Sequence, residues 1–338
     1  MLNFCTYFDK NYLFKGLALY NSLINNCKEF RLWILCFDDT TYSIIGKMNL
    51  KNVNLISLSD FEDPELLKAK PTRSKIEYCW TCTPSLPLYI LRKNPELDTI
   101  TYLDADLYFY SDPAILYEEF GNKSIFITEH FYTAKYRKYE EMYGKYNVQF
   151  LIFRNDNNAL KCLEWWRERC NEWCYLKQED GKLGDQKYLD DWPERFNGVH
   201  VLKNKGAGVA PWNIQNYKVE RKDDGVFIDD FRLIFYHFHQ LNIITSQKYD
   251  LIRGYILPNK CINYIYKPYV EALNEVIGTV KKYEPAFNCG YNLGRFVRCS
   301  SFKDIIRNAV YLFKPIEFLI RKYIGKFIGM QYYVYEIK

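Results

Sequence analysis

The chain has 338 residues, of which 48% are hydrophobic and 26% are charged, a balance typical of a folded protein and not of a disordered one. Its 46 lysine and arginine residues exceed its 41 aspartate and glutamate residues by only five, and no basic block alternates with aromatic residues, so nucleic-acid binding is not indicated. No apolar run reaches the roughly 18 residues of a membrane-spanning helix, and the first residues, MLNFCTYFDKNY, lack the pattern of a signal peptide.

Segments with the pattern of strands and helices alternate along the first half of the chain. Strands are predicted at residues 2–7, 31–37, 53–58 and 98–103, and helices at residues 11–26, 42–48 and 84–92. A strand at residues 148–153, a helix at residues 155–175 and a strand at residues 232–239 follow. This alternation predicts an α/β fold with a Rossmann-like, mostly parallel central sheet and helices on both of its faces.

The cysteines favour an intracellular protein. Eleven cysteines in a chain of this length without a signal peptide predict reduced thiols rather than a disulfide framework. Cys79 and Cys82 form an isolated Cys-x-x-Cys pair with no second pair at zinc-site spacing, so buried thiols are expected instead of metal ligands. We expect a cytoplasmic location.

The predicted strand at residues 98–103 ends in two carboxylates, Asp104 and Asp106. Ligands of open α/β sheets bind beyond the carboxyl ends of the strands, and this pair lies there. The Asp-x-Asp pattern has three interpretations: a structural turn, the active-site pair of an aspartyl-phosphatase, or a Mg²⁺ or Mn²⁺ site that holds a nucleotide diphosphate. The phosphatase interpretation is disfavoured because its motif follows the first strand, whereas this one lies in mid-chain.

Several segments, taken in their order, favour the metal site. They are TYFDKNYLFKGLALYNSL from residue 6, YLDAD from residue 102, NVQFLIFRND from residue 147, GDQKYLDDW from residue 184, APWNI from residue 210 and FYHFH from residue 235. Together these segments resemble the nucleotide-sugar glycosyltransferases of the GT-A fold, in particular the glycogenin-like pattern of glycosyltransferase family 8. The resemblance covers roughly residues 3–239.

The resemblance implies a divalent cation, Mn²⁺ or Mg²⁺, held by three side chains. Asp104 and Asp106 supply carboxylates, and His237 supplies an imidazole, with His239 as the alternative. We expect these two histidines to point to opposite faces of their strand, so that only one reaches the metal. Such a ligand set leaves coordination positions for two phosphate oxygens of the donor.

The resemblance also assigns donor-binding and catalytic residues. The donor-binding set is Thr6, Tyr7, Asp9, Tyr12, Arg73, Asp104, Ala105, Asp106, Asn147, Trp212 and Asn213. Asp185 is the expected catalytic carboxylate, with helix capping as its structural alternative, and Gln186 is expected to position the donor. Arg73 is expected to meet a phosphate, with a surface ion pair as the alternative. Tyr7 and Tyr12 are candidates to stack on the base, with ordinary packing as the alternative.

The resemblance implies a metal-dependent enzyme that transfers a sugar from a nucleotide-sugar donor with retention of configuration. The donor is expected to be a UDP-sugar. The acceptor is expected to be a glycan or lipid-linked saccharide in surface polysaccharide or lipopolysaccharide synthesis. The chain departs from the family after the histidine, where Gln240 to Thr245 lack the phosphate-binding lysine and Lys248 comes later. Gln149 replaces a small residue. A sugar-nucleotide pyrophosphorylase and a non-catalytic glycan-binding protein are the alternatives, although no glycine-rich phosphate loop follows the first strand.

Three regions are expected along the chain. Residues 1–240 form the glycosyltransferase domain, with a donor half at about 1–110 and an acceptor half at about 111–240, and residues 241–300 pack on it. Residues 301–338 carry seven lysine or arginine and three aspartate or glutamate residues and a helical apolar stripe. A basic amphipathic helix of this kind could lie on the inner face of the membrane or fold back onto the domain.

Overall fold

The computed structural model describes residues 1–292 and 334–337 of the chain. In the first part of the chain, strands and helices alternate. The elements are β1 (Leu2–Phe8), α1 (Leu13–Asn26), β2 (Phe30–Cys36), α2 (Asp39–Met48), β3 (Val53–Ser57), α3 (Leu58–Phe61), α4 (Pro64–Ala69), α5 (Lys75–Cys82), α6 (Ser85–Lys93), β4 (Thr99–Leu103), β5 (Leu107–Phe109) and α7 (Ala114–Phe120).

The second part of the chain has shorter strands. The elements are β6 (Ile125–Glu129), α8 (Tyr139–Tyr143), β7 (Tyr146–Arg154), α9 (Asn157–Glu172), a 3₁₀ helix (Gln186–Asp191), α10 (Trp192–Arg195), β8 (Val199–Val201), β9 (Val219–Lys222), β10 (Gly225–Ile228), β11 (Phe231–Arg232), β12 (Phe235–His237), β13 (Asn242–Thr245), β14 (Lys248–Asp250), α11 (Asn259–Cys261), a π-helical turn (Ile262–Tyr266), α12 (Lys267–Tyr283) and β15 (Val334–Glu336).

The central sheet has seven strands in the order β3-β2-β1-β4-β7-β6-β8. Neighbouring strands are parallel except around β7, which runs antiparallel to both β4 and β6. The carboxyl ends of β1, β4 and β6 therefore meet at one edge of the sheet, together with the amino end of β7. This arrangement confirms the predicted α/β fold with a mostly parallel sheet.

Helices cover both faces of the sheet because side chains along each strand alternate between two cores. In β1, Phe4 packs into the core beneath α1, α2 and α12, whereas Cys5 packs into the core beneath α5, α6 and α9. Burial of these two apolar faces is the main source of the fold's stability.

Local hydrogen bonds fix the loops at the functional edge. After β1, the Asp9 carboxylate accepts from the backbone amides of Asn11 (3.0 Å) and Tyr12 (3.2 Å), which turns the chain into α1. Before α5, the Glu77 carboxylate accepts from the Ser74 amide at 2.8 Å in a reciprocal capping pair. These turns place Asp9 and the start of α5 beside the ends of β1 and β4.

A two-stranded ribbon brings a distant histidine to the acidic pair. β5 begins directly after Asp106 and pairs antiparallel with β12, so that Leu107 lies opposite His237. The Phe238 amide then donates to the Asp106 carbonyl at 2.9 Å. The predicted strand at residues 232–239 is therefore two short strands, because β11 pairs with β10 instead.

Other predicted boundaries shift in the structure. The helix predicted at residues 155–175 ends at Glu172, because Trp173 adopts extended backbone angles. The segment that follows Asp185 is a short 3₁₀ helix, Gln186–Asp191. The tail predicted as a basic helix is residues 301–338, and its residues 301–333 lie outside the described residues. Within this tail Val334–Glu336 is a strand paired with β14 instead of a helix.

Within residues 1–292 and 334–337, none of the helices is both long enough and apolar enough to span a bilayer. The ten cysteines in this part of the chain are free thiols, and eight of them are buried. They pack as apolar side chains.

Candidate active site

A cavity of about 800 Å³ lies at the sheet edge where β1, β4 and β6 end. Polar groups line its floor and aromatic rings line much of its wall. Its position agrees with the rule that ligands of open α/β sheets bind beyond the carboxyl ends of the strands.

Asp104, Asp106 and His237 meet on the floor of this cavity. Their ligand atoms all lie within 4.8 Å of one another. His237 Nε2 lies 3.1 Å from an Asp106 carboxylate oxygen and 3.8 Å from one of Asp104. The turn that presents the pair is closed by the Leu107 amide, which donates to the Asp104 carbonyl at 3.2 Å, and the Asp104 amide donates to the Gln149 carbonyl of β7 at 2.9 Å.

The two carboxylates differ in their electrostatic surroundings. Burial raises the pKa of Asp104 to about 6, although His237 acts in the opposite direction. Burial acts the same way on Asp106, but His237 and Lys15 together hold the pKa of Asp106 well below its usual range. Burial alone would lower the pKa of His237, yet Asp106 raises it above its ordinary value.

The donor set fits a divalent cation. Two carboxylates with one imidazole suit Mn²⁺ or Mg²⁺, which prefer oxygen ligands and retain positions for phosphate oxygens. The Trp212 ring packs edge-on against His237, with centroids 5.3 Å apart, and so holds the imidazole in place. The Tyr102 hydroxyl donates to Asp104 at 3.0 Å, which fixes the second ligand.

The expectation for His239 is wrong in its geometry. Residues two apart on a strand share a face, so the strand pattern itself did not predict opposite directions. In the structure His237 is the last residue of β12 and His239 lies just beyond it, and both pack against Trp212 and line the cavity. Only His237 belongs to the cluster with the two aspartates. His239 lies 5.7 Å from it, centroid to centroid, on the side toward Tyr255.

Lys15 is a component of the site that the sequence analysis missed. The Lys15 side chain is buried. Its ammonium nitrogen lies 3.6 Å from an Asp106 carboxylate oxygen and 4.4 Å from the centre of the Tyr12 ring. A lone charge within the apolar run LFKGLAL of α1 was the available signal. Its positive charge offsets part of the negative charge of the acidic pair.

Asp185 enters the cavity from the loop that precedes the 3₁₀ helix. Its backbone carbonyl accepts from the buried Trp166 indole at 2.9 Å, and Thr83 hydrogen-bonds its carboxylate. Thr83 in turn lies 3.0 Å from the Tyr7 hydroxyl. Burial, reinforced by the charge of Asp104, raises the pKa of Asp185 to about 7.

A buried hydrogen-bond network connects His130, Asn147 and Gln186. The Asn147 amide nitrogen lies 3.0 Å from His130 Nε2 and donates to the Gln186 amide oxygen at 3.0 Å. His130 Nδ1 faces the Lys145 carbonyl, which can only accept, so Nε2 is the acceptor for Asn147. Burial lowers the pKa of His130 to about 3, in agreement with a neutral ring.

His130 is a further residue of the cavity, and the sequence did not predict it because strand β6, which delivers it, was not predicted. It follows Glu129 at the carboxyl end of β6, on the same edge as the acidic pair. The rule for strand ends in α/β sheets would have identified it.

Most of the predicted donor-binding residues line the cavity. They are Tyr7, Asp9, Tyr12, Asp104, Ala105, Asp106, Asn147 and Trp212, and both Asp185 and Gln186 lie there too. Asp9 also forms an ion pair with Lys75.

Three predicted donor-binding residues are not among those that line the cavity. Thr6 is fully buried within β1. Asn213 is fully buried and ties its own loop, donating to the carbonyls of His130 and Gly208. Arg73 faces the end of α9 instead, where it donates to the Asn171 carbonyl at 3.1 Å.

An aromatic wall continues from the cluster of Asp104, Asp106 and His237. It consists of Tyr132, Tyr139, Tyr143, Trp212 and Tyr255, which all line the cavity. Trp212 contacts His237 on one side and Tyr255, with centroids 6.4 Å apart, on the other. Tyr143 lies at the mouth, where 39% of its surface is exposed.

The sequence has a clear relative among curated proteins. It is 35% identical to the uncharacterized protein YfnD of Bacillus subtilis (strain 168) over 292 residues, which are 86% of this chain and 94% of YfnD. The chain belongs to the YfnD family. A second uncharacterized protein of the same organism, YfnF, is 32% identical over 292 residues, 84% of this chain and 96% of its own. No protein-family model matches the YfnD-family chain.

Three solved glycosyltransferases are similar to this YfnD-family protein. The galactosyltransferase LgtC, in complex with donor and acceptor sugar analogues, has a TM-score of 0.49 and 14% identity, with 81% of this chain and 96% of LgtC covered. Mouse xyloside xylosyltransferase 1 has a TM-score of 0.45, 13% identity and coverages of 71% and 98%. GlyE of Streptococcus pneumoniae has a TM-score of 0.44, 13% identity and coverages of 82% and 63%.

Proposed function

We propose that this YfnD-family protein is a metal-dependent glycosyltransferase that moves a sugar from a nucleotide diphosphate donor to a glycan acceptor. The observation that carries the proposal is the meeting of Asp104, Asp106 and His237 on the floor of a large cavity at the carboxyl ends of the strands. A site of hard ligands at this edge suits a nucleoside diphosphate with a divalent cation.

When bound, Mn²⁺ or Mg²⁺ would be held by these three side chains and would neutralise the negative charge of the departing diphosphate. For Tyr7, Asp9 and Tyr12, which line the cavity near the end of β1, we propose contact with the nucleobase, and we propose uracil as that base. The glycogenin-like family 8 pattern, with retention of configuration, remains part of this proposal because it depends on the sequence resemblance.

Asp185 and Gln186 are proposed to act on the donor sugar. The reaction breaks the bond between the anomeric carbon and the diphosphate oxygen and forms a bond to an acceptor hydroxyl, through a state with positive charge on the sugar. The Asp185 carboxylate can stabilise that charge. The amide oxygen of Gln186 already accepts from Asn147 and Val148, and its nitrogen donates to the Tyr143 carbonyl at 2.8 Å. One N–H of Gln186 is therefore left to position the donor.

The aromatic wall is proposed to hold the acceptor saccharide. Aromatic rings bind the apolar faces of sugars while their hydroxyl and indole groups bond to the polar edges. The wall begins beside His237 and ends at the exposed ring of Tyr143, so an acceptor lying along it would extend from the reaction centre to solvent. A surface polysaccharide, lipopolysaccharide or lipid-linked saccharide as acceptor, together with a cytoplasmic location at the inner face of the membrane, is part of the proposal.

Two other functions are less well supported. A sugar-nucleotide pyrophosphorylase would need a glycine-rich phosphate loop after β1, where this chain has Asp9, Lys10 and Asn11. A non-catalytic glycan-binding protein would have no use for a buried acidic pair with a histidine, which is costly to maintain.

The proposal is tested by thermal unfolding with UDP and manganese. We expect UDP with Mn²⁺ to raise the melting temperature, and neither alone to do so fully, because a ligand that binds only the folded state stabilises it. Asp104→Ala combined with Asp106→Ala should abolish the shift. Release of UDP from UDP-sugars, measured in parallel, distinguishes an enzyme from a binding protein, and an unchanged shift in the double variant would contradict the proposed site.

A further inference from the structure

A hairpin precedes the proposed catalytic carboxylate directly. Its two ends are joined where the Gly184 amide donates to the Tyr175 carbonyl at 3.0 Å, and its tip is closed by mutual backbone bonds between Glu179 and Lys182. Asp185 is the next residue after this hairpin, which spans residues 175–184. The hairpin also contributes to the cavity, because Leu176, Leu183 and Gly184 line it.

The first arm of this hairpin is held by residues at the start of α5. The Glu77 carboxylate accepts from the Leu176 amide at 2.7 Å through one oxygen, while its other oxygen accepts from Ser74. The Arg73 guanidinium stacks on the Tyr175 ring at 4.0 Å. It also donates to the carbonyls of Asn171 (3.1 Å) and Cys170 (3.4 Å) at the end of α9. Arg73 and Glu77 thus both bind the hairpin, and Arg73 also binds the end of α9, the helix that precedes it.

The contacts of Arg73 leave it little freedom to reach a donor phosphate. Its Nε is buried and has no hydrogen-bond partner among the described residues, so this nitrogen is enclosed by protein rather than open to a ligand. The carbonyls at the end of α9 are unpaired within the helix and attract a cation. Arginine suits such a place because its planar fork donates in fixed directions and stacks on an aromatic ring.

A short path of contacts leads from Arg73 to Asp185. Arg73 lies over the ring of Tyr175, the Tyr175 carbonyl accepts from Gly184, and Gly184 is bonded to Asp185. Gly184 adopts a φ of +55°, and a Cβ there would lie 3.2 Å from Trp80, so the backbone at this point has little room to shift. On its other side Asp185 is held by Trp166.

We propose that Arg73 and Glu77 are positioning residues that fix the 175–184 hairpin and, through it, the place of Asp185 in the cavity. This inference rests on the proposed function of Asp185, and it replaces the expected contact between Arg73 and a phosphate. Neither Arg73 nor Glu77 is among the residues that line the cavity.

The test uses the full chain with Arg73→Ala, Glu77→Ala and a matched control, Arg195→Ala. Arg195 also stacks on an aromatic ring, Trp165 at 4.5 Å, and does not line the cavity. Hydrogen exchange of backbone amides is measured without metal or donor. We expect the Leu176 and Gly184 amides to exchange about tenfold faster in Arg73→Ala and Glu77→Ala, and unchanged in the control. Unchanged exchange in both variants would overturn the proposal.

Two further measurements separate positioning from phosphate binding. The dissociation constant of UDP with Mn²⁺ should stay within about twofold of the wild-type value in both variants. Turnover of UDP-glucose or UDP-galactose, read as UDP release, should fall about 10- to 100-fold, since a small displacement of a catalytic group is enough for such a loss. A large loss of UDP affinity in Arg73→Ala with normal turnover at saturation would show that Arg73 contacts the diphosphate. If the wild-type chain shows no manganese-dependent UDP binding, the proposed function is wrong. The amide exchange rates would still show whether Arg73 and Glu77 hold the hairpin in place.

Discussion

The raised pKa of Asp185 predicts that this residue destabilises the folded chain at neutral and alkaline pH. An aspartate in the unfolded chain ionises near pH 4, whereas the buried Asp185 ionises at about 7. Between these values the unfolded chain has lost a proton that the folded chain retains. The free energy of unfolding therefore falls as the pH rises from about 4 to about 7, and it stays at the lower level above that.

The magnitude follows from the size of the shift. Three pKa units at 1.36 kcal/mol each give an upper limit of about 4 kcal/mol, and local relaxation of the site is expected to reduce it. Asp185→Asn removes the charge but keeps an oxygen that can accept from Thr83. We therefore expect this variant to be more stable than the wild type by about 1–4 kcal/mol at pH 8 and nearly equal to it at pH 4.5.

The assay is thermal or urea unfolding without metal at both pH values, followed by tryptophan fluorescence. Asp180→Asn at the hairpin tip is the control, because the Asp180 side chain is 82% exposed. The backbone of Asp180 has a positive φ, which asparagine adopts equally well. The control should match the wild type at both pH values. The reasoning would be refuted if Asp185→Asn raised the free energy of unfolding equally at pH 4.5 and pH 8, or lowered it at pH 8. UDP release by Asp185→Asn should be largely lost, so stability and activity would move in opposite directions.

Three other changes test separate parts of the site. His237→Ala should abolish the manganese-dependent thermal shift with UDP, whereas His239→Ala should keep it; equal loss in both would contradict the assignment of the third ligand. Gly184→Ala should lower the melting temperature, at a cost of about 1–3 kcal/mol, because its φ of +55° and the nearby Trp80 ring oppose a Cβ; an unchanged melting temperature would argue against that strain. Tyr143→Ala should leave UDP release in the absence of acceptor unchanged but reduce transfer to added saccharides by about tenfold, in a screen of simple glycosides; normal transfer would remove Tyr143 from the acceptor site.

Much of the fold could be predicted because its signals are local. The strands at the ends of which Asp9 and Asp104 lie are apolar and β-branched runs bounded by polar turns, and their alternation with helices determines a parallel sheet. The strand at residues 98–103 and the acidic pair after it were predicted within one residue of their observed bounds. Strand β6, which delivers His130, was missed, because its pattern is short and its pairing with β7 is long-range.

The predicted site residues that follow a strand, Asp104 and Asp106, line the cavity, and tertiary contacts decide where the others lie. Asp185 and Asn147 lie in the cavity as expected. Arg73 was expected there because of its charge, but the free carbonyls at the end of α9 and the Tyr175 ring bind it elsewhere. Lys15 was overlooked because its role depends on Asp106, far along the chain and adjacent only after folding. The error on His239 came from its strand periodicity, since residues two apart share a face.

The most direct test of the central claim is diffraction from crystals of the chain grown with UDP and Mn²⁺, recorded where manganese scatters anomalously. The account predicts one strong anomalous peak bonded to Asp104, Asp106 and His237, with the diphosphate oxygens of UDP completing its coordination. UDP bound in the cavity with no manganese at these three side chains, or manganese held by other residues, would contradict it.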